Sequence, residues 1–65
     1  MTKKDNDKLV KVLTELVTAA DMCMGEATSG KPVQDWGLVN RAMVNAGKAQ
    51  AFLKRGGKLE LMGDK

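Results

Sequence analysis

Residues 6–27 read NDKLVKVLTELVTAADMCMGEA, and the spacing of apolar side chains in this stretch decides the fold. Projected at about 100° per residue, Leu9, Val10, Val12, Leu13, Leu16, Val17, Ala19, Ala20, Cys23, Met24 and Ala27 fill one half-cylinder. Lys11, Thr14, Glu15, Thr18 and Asp21 fill the other half, and Met22 is the one apolar side chain that projects from the polar side. The pattern predicts an amphipathic helix over about 6–27. Asp5, Asn6 and Asp7 offer N-cap oxygens at its start and also suit the positive end of the helix dipole.

Downstream, Gly25 weakens the helix end and Thr28-Ser29-Gly30-Lys31-Pro32 is a cluster of breakers that stops it. The resulting linker, 28–34, is short, and short connections between helices favour antiparallel neighbours. The second helix opens either with Pro32 at its first position or with Asp35 as its cap, and runs over about 35–55. Gly56-Gly57 supplies the stop, with Lys54 and Arg55 suited to the negative end of the dipole.

Two rows of side chains distinguish this second helix. Its main stripe is Trp36, Val39, Met43, Ala46 and Leu53, joined by Ala42 and Ala49, where the alanines allow another helix to approach closely. Beside it Leu38, Asn45 and Phe52 recur at seven-residue intervals. One neighbouring helix does not easily cover both rows, so the second row is expected to be an oligomer or partner contact. In the tail, 56–65, the segment Lys58-Leu59-Glu60-Leu61-Met62 alternates polar and apolar residues over its first four positions. An isolated strand leaves its hydrogen-bonding edges open, so an ordered tail pairs with another copy through Leu59 and Leu61 or lies across a neighbouring helix; the alternative is a frayed end.

Composition narrows the class. The chain has 65 residues, room for one small domain, and at this size a core rarely supplies more than about 3–5 kcal/mol without disulfides, a metal or self-association. A single cysteine and no histidine remove the first two, so self-association is expected. The aromatics are Trp36 and Phe52 alone, and the apolar content is otherwise mostly Ala, Val, Leu and Met, which suits helices. No apolar run approaches the roughly 20 residues of a membrane span and no signal-peptide core is visible, so the expected location is the cytoplasm, with Cys23 reduced. The fold expected is all-α: an antiparallel helical hairpin assembling as a homodimeric, four-helix-bundle-like or higher oligomer, with a short extended C-terminal tail.

Charge is uneven. Residues 1–30 hold four lysines against five acids, whereas 31–65 hold seven cations against three. Arg41, Lys48 and Arg55 recur every seven residues, which sets all three within about 40° on the second helix as a basic ridge. Such a ridge is either a solvated face or an anion site, flanked by Asn40 and Asn45, in which arginines grip phosphate through paired hydrogen bonds. Trp36 reads first as core, with ligand stacking as the alternative.

Enzymatic chemistry finds little here: no catalytic residue, cofactor or metal set is predicted. The acids lie on the solvent sides of their helices, and Cys23 sits within the apolar half-cylinder with no base to activate it. Thr28-Ser29-Gly30-Lys31 has the residue types of a phosphate loop without its spaced glycines or preceding strand. Three functions follow in order: a non-enzymatic accessory regulator or inhibitor of the phage or plasmid type that binds itself and a protein partner; an oligomer that sequesters a nucleotide or other phosphorylated small molecule through Arg41, Lys48, Arg55, Asn45 and Trp36; and an RNA-binding dimer of hairpins.

Overall fold

The first helix begins earlier than the acidic cluster suggests. In the computed structural model, which describes residues 2–63, the N-cap is Thr2, whose hydroxyl accepts from the Asp5 backbone N–H at 3.1 Å. Asp5 thereby becomes a first-turn residue, where its carboxylate still faces the positive end of the dipole. This helix, α1 (Lys3–Ser29), passes through Gly25 without a break and ends at Gly30, two residues beyond the predicted stop. Gly30 takes the left-handed conformation (φ 70°) that closes a helix, its N–H reaching Glu26 O at 3.0 Å. Threonines on α1 are held by bonds to the preceding turn, Thr14 to Val10 O and Thr18 to Thr14 O, so their hydroxyls add no unmet demand to the helix.

Asp35, and not Pro32, opens the second helix, α2 (Trp36–Arg55): its carboxylate accepts from Leu38 N at 3.0 Å. Gly56 caps the other end through its N–H to Phe52 O at 2.8 Å. The two helices pack on each other in opposite senses, because low-numbered positions of α1 meet high-numbered positions of α2. Val12 clusters with Ala49, whereas Ala19 clusters with Val39 and Ala42. The result is a hairpin 40 Å long and only 20 by 17 Å across, without a strand among the described residues.

Small side chains set the core. Ala19, Ala42 and Ala49 are buried between the helices beside Val12 and Val39. The linker adds Val33 to the Ala19 cluster, and Met22 packs there too, so the residue expected on the polar side belongs to the helix–helix contact. At the other end Val12 and Ala49 are joined by Leu59 and Leu61, with Leu9, Leu16 and Phe52 packed around them. Burial at roughly 25 cal/mol per Å² of apolar surface makes these two clusters the main favourable contribution within the chain.

The tail is therefore part of the core. Residues 58–63, hereafter the arm, have neither helix nor strand and run back over the groove between the helices. Leu59 and Leu61 bury themselves against their own α1 and α2, so their apolar surface is taken up within the chain. Lys8 Nζ donates to Leu59 O at 2.8 Å. Asn45 is 1% exposed and grips the arm with both ends of its amide: Nδ2 donates to Met62 O at 3.1 Å, and Oδ1 accepts from Met62 N at 2.6 Å. A carboxamide presents one donor and one acceptor side by side, so it pairs with a residue's N–H and C=O as a neighbouring strand would. Gly63 follows at φ 81°, a conformation that L side chains rarely adopt, and a Cβ there would stand 3.1 Å from Arg41 Cδ, which would have to shift by a few tenths of an ångström. The last two positions of the predicted tail, 64 and 65, lie outside the described residues.

Candidate functional site

Rows on α2 exchange the roles assigned to them from sequence. The row Leu38, Asn45 and Phe52, expected as the oligomer contact, faces inward, with Asn45 buried and Leu38 and Phe52 half-buried. The arm takes the surface that Asn45 and Phe52 offer, which is why one neighbouring helix did not have to cover both rows. From the main stripe, Val39, Ala42 and Ala49 are buried, but Trp36, Met43 and Leu53 stand 61%, 67% and 62% exposed. Trp36 is thus not a core residue of the single chain.

On α1 the half-cylinder is likewise split. Val12 and Ala19 are buried and Leu9 and Leu16 pack beside them, while Val10, Leu13, Val17, Ala20, Met24 and Ala27 remain exposed. Cys23 is exposed as well, against the expectation of a core thiol. The exposed six are separated by three and four residues alternately, the spacing of a helix seam. On α2 the positions Trp36, Val39, Met43, Ala46, Gln50 and Leu53 repeat the same alternation.

Val39 is buried and Ala46 half-buried; the other positions of both seams are exposed and open on one flank of the hairpin. Glu15 and Arg41 mark the opposite flank, since they meet there in an ion pair, Nε to Oε2 at 2.9 Å. At about 100° per residue, Leu13 and Val17 lie some 160° from Glu15 around α1, and Trp36 and Met43 lie a comparable angle from Arg41 around α2. The arm occupies the flank of the ion pair, beside Lys8, Asn45 and Arg41. One flank is covered and laced with polar contacts; the other presents two apolar seams side by side.

The basic ridge does not survive as a unit. Arg41 is committed to Glu15, whose side chain is only 15% exposed, so this acid is not on a solvent face. Asn45, read as a possible anion ligand, has both amide ends engaged with Met62. Lys48 and Arg55 instead line an open cleft of about 410 Å³ with Phe52, Gly56, Lys58 and Glu60, between the last turns of α2 and the arm. Trp36 stands at the far end of α2 from this cleft, so the five residues read as one phosphate site are not brought together. No local pattern signals that Lys58 joins Lys48 and Arg55, because that depends on the arm folding back.

Among the described residues no group of His, Cys, Asp or Glu side chains is arranged to hold a metal, and no helix is long and apolar enough to cross a membrane. The fold and its surfaces define the class as an all-α two-helix hairpin with an open apolar flank. Compared with protein-family models, with curated proteins and with solved structures, the chain matches none.

Proposed function

We propose that the protein is a non-enzymatic interaction module that acts by docking its open apolar flank on another polypeptide. The observation that carries this reading is the exposure of Trp36, Met43, Leu13 and Leu53, all above three-fifths, on one side of a helical hairpin. Scattered exposed apolar side chains are ordinary on protein surfaces, but a contiguous patch of this kind on one flank marks an interaction site. Among the described residues no group of His, Cys, Asp or Glu is arranged to hold a metal, and a docking flank of this kind suits an accessory regulator or inhibitor, which needs affinity and no chemistry.

The test is site-specific photo-crosslinking in the cells that produce the protein. A benzophenone side chain replacing Val17, on the flank, is expected to trap a polypeptide. The same group replacing Thr18, which points away from it, is expected to trap none. Equal adducts from both positions, or none from Val17, would remove the reading.

A second reading has one observation in its favour, the convergence of Lys48, Arg55 and Lys58 around the Phe52 cleft. Three cations beside an aromatic ring suit a phosphorylated small molecule, with Arg55 as the bidentate group. Against it stands Glu60 in the same cleft, together with the carboxyl end of α2, whose dipole disfavours anions. A rise in melting temperature with added nucleotide, abolished by Arg55→Ala, would establish this reading over the first. The RNA-binding reading loses the unbroken ridge on which it depended.

A further inference from the structure

Resting on the docking role of the open flank, we infer that its occupant is a second copy of this chain, the two hairpins closing face to face as a four-helix bundle. Area is the first argument. The 7.0 kDa chain exposes 4907 Å², whereas the area–mass relation for folded monomers gives about 4,000 Å² at this mass. The excess, on the order of 900 Å², is close to the roughly 800 Å² that each partner contributes to a standard-size interface. The 40 × 20 × 17 Å slab has the shape of half a bundle, and stacking two such slabs is the arrangement that removes this excess from water on both at once.

The shape of the flank is the second argument. A single foreign helix would lie in the groove between the seams and meet each along one edge. Here each helix instead carries exposed seam positions of its own over similar lengths: Val10 to Ala27 on α1, and Trp36, Met43, Gln50 and Leu53 on α2, where Val39 is taken into the core. Their bulk also interleaves. The alanines of the α1 seam, Ala20 and Ala27, lie toward the linker, where α2 places its largest seam side chains, Trp36 and Met43. Large beside small along a flank is what allows two identical surfaces to interdigitate about a two-fold axis.

Charge is the third. Two copies of a chain with formal charge +3 repel unless their charges are kept away from the contact. The α1 seam holds no charged residue between Asn6 and Ala27, and the α2 seam none before Lys54. A partner of complementary charge would be recognised by charges at the contact, and the seam positions from 10 to 27 and from 36 to 53 supply none; Lys54 stands at the end of the flank.

Sedimentation equilibrium on the full chain at about 50 µM, above the micromolar limit at which interfaces of this size still associate, is expected to return twice the 7.0 kDa mass. The double variant Leu13→Glu, Met43→Glu is expected to return the single mass with unchanged helical circular dichroism, because neither side chain belongs to the buried clusters. A single-chain mass for the parent, or a dimer that survives both charges, would overturn the inference. The mass of the Val17 photo-adduct separates the two levels of the argument. An adduct of two identical chains supports self-pairing; an adduct with a different polypeptide overturns self-pairing while leaving the docking flank in place.

Discussion

The two flanks of the hairpin are built from the same kinds of residue and differ in what the chain does with them. On one, Asn45 and Phe52 of α2 receive the arm, whose Leu59 and Leu61 are buried against the helices. On the other, Leu13, Val17, Met43 and Trp36 are also apolar and stay largely exposed among the described residues. The difference lies in polar detail. The covered flank contains three matched partners for a returning backbone or side chain: Asn45 for Met62, Lys8 for Leu59 O, and Glu15 for Arg41. Apolar surface attracts without direction, whereas a buried amide with one donor and one acceptor fixes which segment lies on it and in what register.

Breaking the covered flank should have the largest effect. Leu59 is 2% exposed among Val12, Ala49 and Leu61, so Leu59→Asp places a carboxylate among apolar side chains, while the nearby Lys8 ammonium is already engaged with Leu59 O. A loss of about 3–5 kcal/mol is expected from burying an unpaired charge, enough to abolish the cooperative thermal transition seen by circular dichroism in a domain of this size. A melting curve like the parent's would show that the arm contributes nothing to the core.

Asn45→Ala tests the polar half of the same flank. It leaves the Met62 N–H and C=O without the amide, and a cost of about 1–3 kcal/mol in urea denaturation is expected. Met62 itself remains partly in water, which holds the figure below that of Leu59→Asp. Hydrogen exchange adds a local readout: the Met62 amide should lose its protection while amides at the linker end of the hairpin keep theirs.

How much of this was visible in the sequence follows from the same contrast. Helical periodicity, the Gly30 and Gly56 stops and the Asp35 cap are local features, and local features place α1 and α2 to within a few residues. Which apolar row faces inward is a different matter. Trp36, Met43 and Leu53 outweigh Leu38, Asn45 and Phe52 in hydrophobic bulk, so bulk alone ranks the rows in the wrong order. The arm decides the ranking, and it does so through Asn45, a polar residue that looks like an interruption until its partner seventeen positions away is known. The pairing of Glu15 with Arg41 was hidden for a similar reason: it depends on helix register across the hairpin, which neither helix records alone.

A smaller effect is expected from that ion pair. Arg41 keeps 40% of its side chain in solvent while Glu15 keeps 15%, so water screens one partner well and the other poorly. Glu15→Gln should cost about 0.5–1 kcal/mol, within the range of partly exposed pairs. A double-mutant cycle with Arg41→Gln should assign most of that cost to the coupling between the two residues. A coupling near zero would mean that Gly63 and the arm hold Arg41 in place without help from Glu15.

The smallest effect should come from the open flank, and its size should depend on protein concentration. Leu13 is 63% exposed and lies outside both buried clusters, so in a dilute single chain Leu13→Ser gives up little burial. A change within about 0.5 kcal/mol is expected there, as for surface substitutions generally. If the flank is the docking surface, the parent's melting temperature rises with concentration, because association draws on the folded state alone, and the serine variant's rises less. Thermal melts over a hundredfold range of concentration therefore measure how the two flanks differ. A penalty for Leu13→Ser that is the same at every concentration would place Leu13 in the fold of the single chain, and the contrast between a covered and an open flank would be lost.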